Sequence, residues 1–477
     1  MPLKETVVNE ALDVAIIGAG TAGLSALREV RRRTQRFVII NDGPWGTVCA
    51  RVGCMPSKIL IEAANAYHRR GSFAEFGITG AESLKADVPA VLQRVRRLRD
   101  DFVRGTLKVT EGLGERAISG RARLLGPGRL EVNGRELRAR RIIIATGSHP
   151  IVPAPWRDLG ERLLTTDTLF EQKDLPARMA VVGLGPVGVE IAQALSRLGV
   201  DLVAFDGIET VGGLTDPAVN AVAVEVLRRE FTLHLGENAE LAAEGASVRV
   251  RAGTAESRVD RVVVALGRRP NVDDIGLETL GELDERGLPP VNPGTLQVAD
   301  LPVFLAGDSN NQAPLLHEAA DEGHIAGINA TRPTVACFDR RTPLVIVFAD
   351  PNVAMVGKRF EDLGSSEVLA GEVRFERQGR ARAGQHEHGI LRVYAERDSG
   401  RLLGAEMCAP AGEHLVHLLA LAIERSLTVH DLLRMPIYHP VLEEGLRTAL
   451  RELASQLPAR EESDLAACGA LGAEALD

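Results

Sequence analysis

Two cysteines close together are the residues of this sequence best suited to chemistry. Cys49 and Cys54 lie in the segment 46–58, which reads GTVCARVGCMPSK. Their offset is a little over one helical turn, so the two thiols can meet if the start of a helix is distorted. A helix N-terminus lowers the pKa of nearby cysteines and favours the thiolate that disulfide exchange requires. A disulfide closing so small a ring is expected to be strained and easily reduced.

Other interpretations of this pair are two reduced cysteines packed beside a turn, or part of a metal site. The metal interpretation lacks a second pair of Cys or His residues nearby. The chain has only five cysteines in 477 residues, which is too few for a disulfide framework. Because a nucleotide-binding pattern lies directly upstream, the sequence favours redox chemistry at Cys49 and Cys54, and no metal site is expected.

That upstream pattern is a G-x-G-x-x-G motif between an apolar run and a helix-forming segment. Its glycines are Gly18, Gly20 and Gly23. The first allows a tight turn, the second lets the backbone approach a pyrophosphate, and the third lets the helix pack on the strand. The pyrophosphate would lie at the helix N-terminus, where free N–H groups and the dipole favour negative charge. A second apolar run follows and is closed by Asn41 and Asp42.

A second copy of the motif occurs later in the chain. Its glycines are Gly183, Gly185 and Gly188, and its second strand, 201–205, is closed by Asp206. One glycine motif alone could be a mere tight turn. Two copies, each with a strand before and a helix after, predict two bound dinucleotides.

Three further apolar runs end at small-residue turns. They close at Ala145-Thr146-Gly147, at Gly267 and at Gly307-Asp308. Open α/β sheets bind ligands at the carboxyl ends of their strands, so Asp308 is expected to hydrogen-bond the ribityl chain of a cofactor. The alternative is an aspartate that only terminates its strand in a turn.

Composition excludes several classes of function. The 477 residues predict two to four domains. The net charge of −9 leaves no basic surplus for nucleic acid, which is not expected as a partner. No uncharged apolar run reaches the roughly 18 residues of a membrane span, and the first residues lack the apolar core of a signal peptide. The protein is therefore expected in the cytoplasm, away from membranes.

On these motifs the chain resembles the pyridine nucleotide-disulfide oxidoreductases of class I, and is most similar to the dihydrolipoamide dehydrogenases. The resemblance covers about residues 10–455. Besides the two glycine motifs, it rests on C-x4-C followed by Pro-Ser-Lys58, Ala-Thr-Gly at 145–147, Glu190, Ala-Gly-Asp at 306–308, and His439-Pro440 followed by Glu444.

The resemblance implies an α/β fold with two Rossmann-like dinucleotide-binding domains, for FAD and NAD, and a C-terminal α+β dimerisation domain. The expected units are an FAD-binding domain with the redox disulfide (1–150), an NAD-binding domain (151–272), a return to the FAD or central domain (273–340), a dimerisation domain (341–455) and a flexible tail (456–477). A homodimer is expected.

The resemblance also implies catalytic roles. Cys54 would face the flavin as the charge-transfer thiolate, and Cys49 would form the mixed disulfide with the substrate. Lys58 would pair with Glu190 beside flavin N5. An imidazole suits proton exchange with thiols. The resemblance places His439, oriented by Glu444, in the other subunit's site. Pro440 is expected at the first position of the following helix.

The cofactor contacts expected from the motifs and the resemblance fall into two groups. For FAD they are Gly18, Gly20, Thr21, Ala22, Gly23, Asn41, Asp42, Gly46, Val48, Lys58, Ala122, Ala145, Thr146, Gly147, Gly307, Asp308, Leu315, Leu316 and His317. For NAD they are Gly183, Gly185, Val187, Gly188, Glu190, Asp206 and Gly267. The carboxylate of Asp206 would accept a ribose hydroxyl and repel a 2′-phosphate, which predicts NAD rather than NADP.

The activity implied is FAD-dependent dihydrolipoamide:NAD oxidoreduction, in which electrons pass between a dithiol or disulfide, the Cys49–Cys54 pair, FAD and NAD(H). The partner would be a lipoyl-bearing carrier protein or a small dithiol or disulfide. The alternatives are a reductase of another low-molecular-weight or protein disulfide, similar to glutathione reductase, and a non-catalytic flavin-binding subunit of a complex.

The sequence departs from the family pattern around the redox pair. Thr47 and Val48 stand where Gly-Thr is usual, Ala50-Arg51 replaces Leu-Asn, and Asn41 replaces the glutamate expected at the adenine ribose. A lone cysteine in the tail, Cys468, cannot form a disulfide of its own and is interpreted as an inert thiol.

Overall fold

The computed structural model of the chain describes residues 11–364, 368–458 and 465. The strands are β1 (Leu12–Ile17), β2 (Phe37–Asn41), β3 (Ala117–Ser119), β4 (Ala122–Gly126), β5 (Arg129–Val132), β6 (Arg135–Ile144), β7 (Ser148–Pro150), β8 (Leu163–Leu164), β9 (Arg178–Val182), β10 (Asp201–Asp206), β11 (Thr232–Leu235), β12 (Glu240–Glu244), β13 (Ser247–Ala252), β14 (Ala255–Val259), β15 (Arg261–Val264), β16 (Arg268–Pro270), β17 (Val303–Leu305), β18 (Leu344–Val347), β19 (Asn352–Gly357), β20 (Val368–Arg374), β21 (Ile390–Glu396) and β22 (Leu402–Ala409).

The α-helices are α1 (Thr21–Val30), α2 (Val48–Arg51), α3 (Cys54–His68), α4 (Val88–Glu111), α5 (Thr166–Leu169), α6 (Pro186–Arg197), α7 (Pro217–Arg228), α8 (Leu316–Thr331), α9 (Gly379–Gly384), α10 (Gly412–Glu424), α11 (Val429–Leu433) and α12 (Glu444–Gln456). Within the described ranges, no helix combines the length and the apolar character that crossing a bilayer requires.

The first sheet has the order β3-β2-β1-β6-β5-β4, with β17 also paired to β6. Strands β1, β2, β3, β6 and β17 are parallel, whereas β5 pairs antiparallel with the first half of β6. Alternate residues of β1 enter cores on opposite faces. Val14 and Ile16 pack on the side of α1 and α8, and Ala15 and Ile17 pack on the other side. Burial on both faces explains the near-continuous apolar run.

The second sheet has the order β11-β10-β9-β15-β8, all pairs being parallel. A three-stranded antiparallel sheet, β12-β13-β14, packs against it through a shared core. Strands β7 and β16 pair with each other where the chain passes between the first and second units.

The third unit is an antiparallel sheet of order β18-β19-β22-β21-β20, covered by α10, α11 and α12. Its composition of strands and helices agrees with the α+β expectation. The sheets and helices of the three units agree with the expected α/β fold class, while the domain boundaries stay a prediction.

Helix α3 follows the first sheet's strand β2 in the chain, but its buried side chains do not pack in the cores of that sheet. Ile59, Leu60 and Ala64 share a core with α4, with α6 and the second sheet, and with Val347 and Val353 of the third unit. The helix that begins at Cys54 is therefore held where all three units meet.

Two expectations for the C-terminal region differ from the structure. Pro440 is not at the first position of a helix, because α12 begins at Glu444 and the Glu444 carboxylate accepts the N–H of Val441 in a turn before it. Gln456 is the last residue of α12 and Leu457 is buried, so the tail can begin only after them. Cys468 and the rest of 456–477, except for 458 and 465, lie outside the described residues.

Candidate active site

The two cysteines are brought together by a break between two helices. Cys49 lies on the short helix α2, which Thr47 caps by accepting the N–H of Ala50 at 3.1 Å. Helix α3 starts at Cys54, after Gly53, whose φ and ψ are both −118°. A Cβ at Gly53 would lie 3.2 Å from the Cα of Cys49, so a side chain there would crowd the pair. This is the distorted helix start that the five-residue offset requires.

The two thiols differ in acidity. A hydrogen bond from the Cys49 thiol and the positive charge of Lys58 together lower the pKa of Cys54 to about 7. The same hydrogen bond, together with burial, raises the pKa of Cys49. The expectation of an acidic thiol is thus met by Cys54 and is wrong for Cys49, because a single negative charge at the pair is held on Cys54.

Lys58 links the redox helix to the second unit. Its Nζ lies 2.9 Å from Oε1 and 2.8 Å from Oε2 of Glu190, which is on α6. The Glu190 side chain is only 5% exposed, and its Oε1 also accepts the backbone N–H of Phe348 at 3.0 Å. The Lys58 ammonium lies 4.4 Å from the centre of the Phe348 ring. A buried carboxylate is therefore neutralised at the junction of three units.

The first glycine motif forms an open cradle at the N-terminus of α1. Gly18 has φ +107°, and a Cβ there would lie 2.1 Å from the carbonyl oxygen of Ala145. A Cβ at Gly23 would lie 1.9 Å from the Gly18 carbonyl oxygen, whereas one at Gly20 would meet no atom within 4 Å. Within residues 11–364, 368–458 and 465, no side chain caps α1. Free N–H groups beside open space are what a pyrophosphate needs, so these residues fit the FAD expected here.

The second glycine motif repeats this geometry. A Cβ at Gly183 would lie 2.5 Å from the Ala265 carbonyl oxygen, and one at Gly188 would lie 1.8 Å from that of Gly183. Gly185 again borders open space, and α6 has no side-chain cap. The residues at the second site thus fit the pyrophosphate of a second dinucleotide.

The residues that close the second strands contact their glycine loops. Asn41 Oδ1 accepts the N–H of Ala19 at 3.1 Å. Asp206 Oδ2 accepts the N–H of Leu184, and its Oδ1 accepts that of Ile208 at 3.1 Å.

The turns at the ends of β6 and β17 lie side by side. Ser148 Oγ donates to Asp308 Oδ2 at 2.6 Å and accepts from Arg268 Nε at 2.8 Å. Asp308 therefore does more than terminate a strand. Thr146, in the Ala-Thr-Gly turn, has a buried hydroxyl that finds no hydrogen-bond partner in the described part of the chain. An orphaned buried hydroxyl beside the glycine cradle also fits a cofactor that supplies the missing partner.

A buried carboxylate holds the Gly307-Asp308 turn in place. Glu322 accepts the backbone N–H of Gly307 at 2.6 Å and the side-chain amide of Asn310 at 2.7 Å, and Arg340 donates to it at 2.9 Å. Burial raises the pKa of Glu322.

His439 and Glu444 form a hydrogen-bonded pair at the surface of the chain. His439 Nδ1 lies 2.9 Å from Glu444 Oε1, and the histidine side chain is 80% exposed. The hydrogen bond from His439 lowers the pKa of Glu444. Because the His439 imidazole is exposed and is oriented by the Glu444 carboxylate, a group from outside this part of the chain can reach it.

The other predicted cofactor contacts lie at several places in the structure, and their roles stay a prediction. Thr21 and Ala22 open α1, and Leu315 precedes α8, whose first residues are Leu316 and His317. Gly46 has a φ of +100° and lies beside the Arg51 side chain. The side chains of Asp42, Val48 and Val187 are exposed. Gly147 and Gly267 have positive φ values. Ala122 lies on β4 with its side chain in the core.

Four residues at the site were missed by sequence reasoning: Phe348, Ser148, Arg268 and Glu322. Phe348, Ser148 and Glu322 contact predicted residues through tertiary packing, and Arg268 contacts Ser148, so no local pattern in the sequence identifies them.

Two family models match the chain. The model of the pyridine nucleotide-disulphide oxidoreductase family matches residues 12–323, and the model of that family's dimerisation domain matches residues 343–450.

Curated relatives match over nearly the whole chain. A dihydrolipoyl dehydrogenase of Thermus scotoductus is 31% identical over 460 residues, covering 93% of this chain and 98% of the relative. One of Bacillus subtilis is 27% identical, with 91% and 94% covered.

Solved structures with the same fold include LpdA from Mycobacterium tuberculosis, with a TM-score of 0.81 at 24% identity, covering 92% of this chain and 99% of that one. The HOCl-induced flavoprotein disulfide reductase of Escherichia coli has a TM-score of 0.80 at 21% identity, with 92% and 99% covered.

Proposed function

The chain belongs to the pyridine nucleotide-disulphide oxidoreductase family, and from that premise we propose that it is an FAD-dependent dihydrolipoamide:NAD oxidoreductase. The observation that carries the proposal is the Cys49–Cys54 pair at the start of α3, next to a lysine that is bound to the nucleotide-binding helix α6. Curated relatives named dihydrolipoyl dehydrogenase support the choice of substrate.

The dithiol substrate exchanges with the oxidised cysteine pair. A substrate thiolate attacks the sulfur of Cys49, a mixed disulfide forms, the Cys49–Cys54 bond breaks, and Cys54 leaves as a thiolate. The second substrate thiolate then attacks the substrate sulfur of the mixed disulfide and releases Cys49. The substrate loses two electrons and becomes the disulfide, and the cysteine pair gains them. An acidic leaving thiol speeds this exchange, which suits the lowered pKa of Cys54.

Proton transfer is assigned to His439. The substrate thiols lose their protons in order to attack, and the raised pKa of Cys49 means that its released thiolate takes up a proton, so the exchange needs a group that accepts a proton and returns it. His439 is oriented by Glu444 and exposed on the dimerisation domain, so the homodimer that this domain supports would bring it to the partner subunit's cysteines.

Bound FAD and NAD supply two-electron transfer between sulfur and the nicotinamide. The chain's own part is to hold the FAD pyrophosphate at the cradle of Gly18, Gly20 and Gly23, with the buried hydroxyl of Thr146 as a further donor. Asp206 at the second cradle favours an unphosphorylated ribose, so we assign NAD rather than NADP. Activity in the cytoplasm stays a prediction.

The test is a substrate panel on the purified holoprotein. NADH-dependent reduction of free lipoamide, of a lipoylated carrier domain and of glutathione disulfide is compared, each with NADPH in parallel, and Cys54→Ser is the control. We expect turnover with lipoamide and NADH, and loss of at least about 10³-fold in Cys54→Ser.

Two outcomes would contradict the proposal. Glutathione disulfide turning over faster than lipoamide would support a reductase of another disulfide, and Arg51 in the redox loop would then be the first residue to examine. A flavin-containing protein without turnover on any disulfide would support a non-catalytic subunit.

A further inference from the structure

Helices α3 and α6 are connected at two points. Lys58 contacts Glu190, and seven residues further along each helix Asn65 contacts Arg197. Seven residues are about two helical turns, roughly 10 Å. Because both contacts occur in the same order, the two helices run in the same direction with their register fixed at two points.

The second contact is a buried guanidinium whose five N–H donors all have acceptors. The Arg197 side chain is 3% exposed. Its Nε and Nη2 donate to Glu230 at 2.8 and 2.7 Å, and its Nη1 donates to Asn65 Oδ1 at 2.6 Å. Nη1 and Nη2 also donate to the carboxylate and the backbone carbonyl of Asp350 at 3.0 and 3.1 Å. Gln193 completes the group by donating to Glu230 and accepting the N–H of Asp350.

Both contacts use the same segment of the third unit. Phe348 donates its backbone N–H to Glu190, and Asp350, two residues later, binds Arg197. Displacing this segment at one contact therefore disturbs the other. A lysine in place of Arg197 could not reproduce the planar fork that donates five hydrogen bonds to three residues.

We propose that Arg197 is a positioning residue that fixes α3 against α6. By holding both helices to the segment that contains Phe348 and Asp350, it keeps the ammonium of Lys58 at a constant place near Cys54. The inference rests on the proposed function only in that Cys54 is taken as the thiolate of the redox pair.

The consequence is measurable at Cys54 itself. The titratable groups that act on it are Cys49, Lys58 and Glu190. If the Lys58 ammonium becomes less well placed, its favourable interaction with the Cys54 thiolate weakens and the pH midpoint of ionisation rises.

The experiment titrates Cys54 in the dithiol-reduced holoenzyme. The rate of alkylation by iodoacetamide is measured against pH, with Cys49 and Cys54 separated by peptide mass spectrometry. The wild-type midpoint is expected near 7. Lys58→Met, which removes the charge, should raise it by about 1 pH unit. Arg197→Met should raise it by about half as much.

Two further variants keep the test decisive. Asn65→Ala removes only the bond from Arg197 to α3 and leaves those to Glu230 and Asp350, so it carries the test if Arg197→Met does not fold. It should also raise the midpoint, by less than Arg197→Met. The matched control is Arg178→Met at the start of β9. It breaks the ion pair of Arg178 with Asp260 and should leave the pH midpoint of Cys54 unchanged.

The inference is overturned if Arg197→Met and Asn65→Ala stay within about 0.1 pH unit of the wild type while Lys58→Met shifts, because Arg197 would then serve stability alone. It is equally overturned if Lys58→Met causes no shift. Lipoamide turnover of the wild type is measured on the same preparations, so a failure of the proposed function appears there, separately from the midpoints.

Discussion

Asn41 and Asp206 occupy equivalent positions in the two nucleotide sites. Each closes the second strand of its unit, and each accepts the backbone N–H of the residue between the first two glycines, Ala19 in one site and Leu184 in the other. The amide and the carboxylate therefore stabilise the same loop. They differ in charge, so the charge of Asp206 is available for recognising the ribose.

This equivalence predicts the effect of Asp206→Asn. An amide can hold the glycine loop, as Asn41 does, so the variant should fold and bind nucleotide. Without the carboxylate, repulsion of a 2′-phosphate disappears. The ratio of kcat/KM for NADH to that for NADPH should fall about tenfold, which steady-state kinetics with both nucleotides will measure.

The matched control is Asp201→Asn at the other, exposed end of β10. It removes the same charge from the same strand and should leave the ratio unchanged. An unchanged ratio in Asp206→Asn would show that another residue selects the nucleotide.

Thr146→Val tests the assignment of the first site to FAD. The Thr146 hydroxyl is buried without a partner among the residues that the structure describes, so replacing it by a methyl group should leave the melting temperature of the flavin-free protein unchanged or raise it. Affinity for FAD should fall about tenfold, because a hydrogen bond to the cofactor is worth about 1–1.5 kcal/mol. Flavin fluorescence titration measures the affinity.

Ser309→Ala provides the contrast. The buried Ser309 hydroxyl donates to the Ala306 carbonyl at 2.8 Å, so this variant should lower the melting temperature of the flavin-free protein. If Thr146→Val binds FAD as tightly as the wild type, the Thr146 hydroxyl does not contact the cofactor.

The parts of the site that the sequence predicts are those that depend on local geometry. Gly23 and Gly188 are identified by spacing, because a strand–turn–helix of fixed length brings each within contact of the first glycine of its own motif. The Cys49–Cys54 pair is likewise local. Such features follow from a few consecutive residues and need no knowledge of the packing.

The parts that the sequence does not predict depend on distant segments. Asn65 and Arg197 are 132 residues apart, and nothing in either helix indicates that they meet. The start of α12 differs for a related reason. The apolar pattern continues back to Val441, but the Glu444 side chain accepts the N–H of Val441, and the helix begins four residues after Pro440, its predicted first residue.

Lys58 and Glu190 predict an asymmetry in stability. Lys58→Met would leave the buried Glu190 carboxylate without its counter-charge, at a cost of about 3 kcal/mol. Glu190→Gln leaves the lysine, 29% exposed and able to reach water, and the amide can still accept the N–H of Phe348, so the cost should be about 1 kcal/mol.

Thermal melting of the holoproteins at one FAD concentration measures this order. The double variant should melt above Lys58→Met, because it carries no unpaired buried charge. Equal losses in the two single variants would mean that the pair is better solvated than its burial indicates.

Glu444→Gln tests the role of the pair with His439. The hydrogen bond from His439 lowers the pKa of Glu444, so the carboxylate stays ionised at pH values below the ordinary pKa of a glutamate. Its negative charge can therefore stabilise an imidazolium at His439. A glutamine has no charge to do so and can donate to Nδ1, which favours the wrong tautomer. We expect kcat for lipoamide to fall about 100-fold, with FAD content and melting temperature unchanged. Glu443→Gln, one residue earlier, is the matched control and should retain full activity. If both variants behave like the wild type, the Glu444 carboxylate is not needed to orient His439 or to stabilise its imidazolium.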